Sequence, residues 1–62
     1  MINENEIKMK YLERMVGMTK EERIQYLEDC KFNIDMIDRW TEEDKICHNI
    51  IVNLLKEMKG DE

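Results

Sequence analysis

A chain of 62 residues holds one domain at most, near the size where a single hydrophobic core is marginal without a staple or a second subunit. Its 15 acids against 10 bases, with a pI near 4.8, speak against direct nucleic-acid binding, which needs a clustered basic face, and against attraction to anionic membranes. No apolar run approaches the roughly 18 residues of a membrane span, and Ile, Leu, Met and Val are too plentiful for disorder.

The N-terminal MINENEIKMK is polar and charged, without the apolar stretch of a secretory signal. The chain therefore reads as cytoplasmic, with Cys30 and Cys47 as reduced, small residues at apolar helix positions. Alanine and serine are absent while Ile, Lys, Asn and Glu abound, a composition that fits AT-rich coding in a low-GC bacterium or one of its phages.

In chain order, Asn3 or Asn5 is placed to cap a first helix running to about Val16, and Gly17 follows as a helix stop. Thr19-Lys20-Glu21-Glu22 is a capping box, so a second helix starts at Lys20. Its apolar periodicity continues to about Trp40. Thr41 before Glu42, Glu43 and Asp44 marks a third helix start, and the third helix runs to Met58 ahead of Gly60. No glycine separates the second and third helices, so a single long rod is the alternative. In a continuous heptad register, however, Thr41, Asp44 and His48 fall in succession on the seam, which favours a break.

The expectation is an all-α fold, one domain over residues 1–62. It is a small bundle of a short helix 1 and a helix 2–helix 3 hairpin, completed by dimerisation. The dimer follows from width. On a helical wheel Leu27, Cys30, Ile34 and Ile37 share an arc of roughly 80°, while Tyr26, Phe32, Met36 and Trp40 occupy a further arc of about 120°. Helix 3 gathers Cys47, Ile50, Ile51, Leu54, Leu55 and Met58, with Ile46 and Val52 at its margins. Helix 1 adds Ile7, Tyr11, Leu12, Met15 and Val16. A surface helix needs an apolar stripe of only about 100° or slightly more.

The surplus nominates Tyr26, Phe32, Met36, Trp40, Ile46, Ile50 and Leu54 as an interface, homotypic or with a partner protein, since Trp and Met are favoured anchors. The plainer possibility is that the aromatic group packs beneath helix 1. A second candidate is the acidic row Glu21, Glu28, Asp35 and Glu42, recurring every seventh residue along one face if the helix is continuous. Such a row could imitate a phosphate backbone and block a DNA- or RNA-binding protein, although Lys31 and Arg39 dilute it.

Other chemistry finds little footing. His48 beside Cys47 lacks the companion ligands of a metal site, and no cofactor motif is present. Without serine, and with carboxylates in a chain too short to enclose a pocket, catalysis is not expected. Lys45, Asn49, Asn53 and Lys56 form a strip suited to a DNA groove, but Glu42, Glu43 and Asp44 would repel phosphate at that helix's start. The functional expectation is a non-enzymatic interaction protein, a regulator or inhibitor acting as a homodimer on a partner protein. An acidic mimic and a structural assembly subunit are the alternatives.

Overall fold

The computed structural model describes residues 3–60 and contains α1 (Glu4–Arg14), α2 (Lys20–Asp35) and α3 (Glu42–Met58), with no strand among them. Each helix begins where a short polar side chain can serve the orphan amides of the first turn. Asn3 Oδ1 accepts from the Asn5 and Glu6 amides at 2.9 and 3.3 Å. Thr19 Oγ1 accepts the Glu22 amide at 3.2 Å, and the Glu22 carboxylate accepts the Thr19 amide at 3.0 Å. Thr41 and Asp44 repeat the same reciprocal box at 3.2 and 3.0 Å. Gly17, at φ 87°, supplies the left-handed residue that turns the chain from α1 toward α2.

The two boxes are expected to carry separable stability. Thr19→Ala or Thr41→Ala should cost about 1 kcal/mol, and each glycine replacement only a few tenths. Urea midpoints of the four variants would check this; equal losses for alanine and glycine would refute the capping account.

The end of α2 departs from the expectation. The helix stops at Asp35, not at Trp40, and residues 36–41 form the hairpin connection. Its last turn has no cation to meet the negative end of the dipole and instead carries Asp35. Trp40 then folds back, its Nε1 donating to the Ile34 carbonyl at 2.9 Å, while the Met36 and Ile37 amides take the carbonyls of Phe32 and Ile34. The carbonyls of Phe32, Asn33 and Ile34 at the helix end are thereby satisfied from the turn itself.

The hairpin places α3 at the centre. Both α1 and α2 pack on α3, α2 more extensively. The core consists of Met15, Leu27, Ile34, Ile50, Ile51, Leu54 and Leu55, with Ile7, Tyr11, Ile24, Tyr26, Cys30, Trp40, Ile46 and Cys47 packed partly buried around it. No residue within α1 is buried; its anchor is Met15, the capping residue just beyond it. The Met15 carbonyl accepts Arg23 Nε at 3.1 Å, tying that corner to α2.

Candidate interaction surfaces

Among the described residues six large apolar side chains remain exposed, and they fall in two places. At the end of α2, Phe32, Met36 and Ile37 are 63%, 68% and 42% exposed. On α1, Met9 and Leu12 stand outward at i and i+3, and Val16, in the turn just past the helix, is 77% exposed. Each large side chain left in water forgoes about 1.5–3 kcal/mol of burial if fully covered, so both groups are unsatisfied surfaces.

The nominated interface residues therefore separate. Phe32 and Met36 lie in the outward patch. Ile50 and Leu54 are consumed by the chain's own core, because the width of α3 is covered from two sides. Tyr26 is half-buried, its ring edge-on to Tyr11 at 6.5 Å and 61°. Ile46 is half-buried against the core. Trp40 lies off the helix, half-buried and tilted over His48 with centroids 4.8 Å apart. The first helix ends at Arg14, short of the expected Val16, and of the five apolar residues assigned to its inner side Ile7, Tyr11 and Met15 face the core while Leu12 and Val16 are exposed.

The acidic row is also divided. Glu21, Glu28 and Asp35 share α2, but Glu42 belongs to the first turn of α3, where it meets the helix dipole. Lys59 Nζ lies 3.1 Å from Glu28, and Lys31 Nζ lies 3.1 Å from Asp35, whose other oxygen stands 3.6 Å from His48 Nε2. Two of the four carboxylates thus carry a lysine, and the continuous negative field needed to imitate phosphate is interrupted. Such exposed pairs contribute about 1 kcal/mol or less each.

Between α2 and α3 runs a groove floored by Val52 and Leu55, with Phe32 on its far side and Lys31, Lys56 and Lys59 along its rim beside Glu28 and Asp35. The strip Lys45, Asn49, Asn53 and Lys56 is exposed on α3. Among the described residues no three His, Cys, Asp or Glu side chains converge on a metal position, and no helix is long and apolar enough to cross a membrane.

Where α1 meets the hairpin, burial first, and then the adjacent Cys47 thiol, push the Tyr11 hydroxyl above its ordinary range. The folded state therefore holds the neutral phenol longer than the unfolded chain does. Below about pH 10, the ordinary tyrosine value, this preference has no effect on the pH dependence. Above it, the unfolded chain releases the proton first and stability falls. Urea midpoints measured from pH 9 to pH 11 should drop for the native sequence and flatten for Tyr11→Phe; parallel slopes would count against this origin.

Comparison with protein-family models, with curated proteins and with solved structures gives no match to this chain.

Proposed function

We propose that the chain is a small non-enzymatic protein-interaction module, a regulator or inhibitor that occupies the surface of a partner protein and works as a homodimer. The observation that supports this reading most is the patch Phe32, Met36 and Ile37, held at the end of the hairpin by the Trp40 turn and left exposed. An aromatic ring, an adaptable thioether and a branched aliphatic side chain are the anchor types that protein interfaces favour. Among the described residues the three packed helices leave open depressions between them, and these suit contact with a surface better than enclosure of a substrate.

The test is site-specific photocrosslinking in the native host, with the reactive group at position 36 and, as control, at the exposed Glu21 position of the same helix. A discrete adduct with another protein should form from position 36, persist when Val16 is changed to Asp, and vanish when Phe32 and Ile37 are changed to Asp. Identical products at positions 36 and 21 would defeat the proposal. The adduct should also persist as salt rises from about 0.05 to 0.5 M, because apolar contact is not screened. A steep decline would favour the acidic mimic instead.

A further inference from the structure

The sulfur atoms of this chain are unequally shielded. Among the described residues Met15 is 1% exposed, Met18 and Met58 are half-buried, and the thiols of Cys30 and Cys47 are half-buried against the core. Met36 and Met9 stand open, at 68% and 56%. Their settings differ. Met9 lies on the outer side of α1, whereas Met36 belongs to the hairpin-end patch, with Phe32 four residues before it and Ile37 directly after it. The Met36 amide donates to the Phe32 and Asn33 carbonyls at 3.1 and 3.3 Å, so the backbone holds this side chain in the patch whatever the state of its sulfur.

We propose that Met36 is an oxidation site that switches the hairpin-end surface, with a hydroperoxide such as hydrogen peroxide as the oxidant. The thioether sulfur gives an electron pair to one peroxide oxygen, the S–O bond forms and the O–O bond breaks. The hydroxide released takes the proton from the transferred oxygen and leaves as water. Sulfur is oxidised and peroxide reduced by the same electron pair.

The product is a polar, chiral sulfoxide between a phenyl ring and a branched aliphatic side chain. Neither Phe32 nor Ile37 carries a side-chain donor, so a partner that covers the patch strips water from the sulfoxide oxygen without replacing its hydrogen bonds there. The fold is spared, because Met36 lies outside the core and Met15, where a sulfoxide would be buried, is closed to the oxidant. This inference rests on the interaction-module reading and deepens it, by making the oxidation state of one sulfur the regulator of the contact.

The test has a chemical and a functional half. After hydrogen peroxide treatment of the purified chain, mass spectrometry of its peptides should show Met36 oxidised at least about tenfold faster than Met15, with an unchanged circular dichroism spectrum. The photoreactive group is then placed at the exposed Asn33 position, and the chain, freed of peroxide, is mixed with extract of the native host. Oxidation should reduce the discrete partner adduct at least about tenfold, and methionine sulfoxide reductases should restore it. Met36→Leu, which keeps the apolar bulk, should form the adduct with or without peroxide although its Met9 still oxidises. Slow oxidation of Met36, an adduct undiminished by the sulfoxide, or equal peroxide sensitivity in Met36→Leu would overturn the proposal. An untreated chain that gives no adduct from position 33 would remove the interaction reading and this inference together; an adduct indifferent to the sulfoxide would remove this inference alone.

Discussion

Leu27→Ala and Ile51→Ala should each destabilise the fold by about 2–5 kcal/mol, the range for deleting fully buried branched side chains. Both side chains are 0% exposed, Leu27 on the face of α2 that meets α3 and Ile51 on α3 itself. A chain of this length has a total stability of roughly 3–9 kcal/mol, so either change removes much of it. At about 4–8 °C per kcal/mol for a small domain, the melting temperature should fall by about 8 °C or more, and the weaker variant should lack a cooperative transition. Met36→Ala, at a 68% exposed position, should shift it by only a degree or two in dilute solution. Thermal melts followed at 222 nm would decide; comparable losses at positions 27 and 36 would mean that the wrong face of α2 had been assigned to the core.

The second large effect belongs to Trp40. Its Nε1 bond to the Ile34 carbonyl and its packing over His48 close the hairpin that the sequence otherwise leaves open. Trp40→Phe keeps an aromatic ring but removes one of the two donors to that carbonyl, the Ile37 amide remaining, a loss of about 1 kcal/mol or less. Trp40→Ala removes the packing as well and should cost about 2–3 kcal/mol, below the 3–5 of a fully buried tryptophan because this one is half-buried. Chemical denaturation gives both values. In nuclear magnetic resonance the indole proton should be protected from exchange; a rapidly exchanging indole, or two variants of equal stability, would refute the account.

These two cases show which parts of the fold are written locally. The starts at Asn3, Thr19 and Thr41 are legible because each cap is a bond between residues two or three apart, and α3 fills the limits expected of it. The end of α2 is not local. No glycine or proline marks it, and the stop is completed by a tryptophan six residues beyond the carbonyl it serves, so apolar periodicity runs through it unbroken.

Face choice is undetermined for a related reason. Leu27 with Ile34, and Phe32 with Met36, are both credible inner faces of α2. Only the position of α3 selects the first pair. The same holds for Ile7, Tyr11 and Met15 against Met9, Leu12 and Val16 on α1 and the turn that follows it. Ile50 and Leu54 look surplus on a wheel drawn for a helix covered once, and cease to be surplus on a helix covered from two sides. Excess apolar width was readable, then, while its location was not.

The central position of α3 also sets an order of opening. Removing α2 would expose most of the core, whereas α1 contributes no buried residue of its own and is fastened chiefly through Met15. Its amides should therefore exchange with deuterium through a sub-global fluctuation cheaper than complete unfolding, while those of Leu27 and Ile51 report the full free energy. In that partly open form the α2–α3 hairpin survives, and the side of α3 that borders the start of α1, at Ile50 and Leu54, meets water before the rest of the core does.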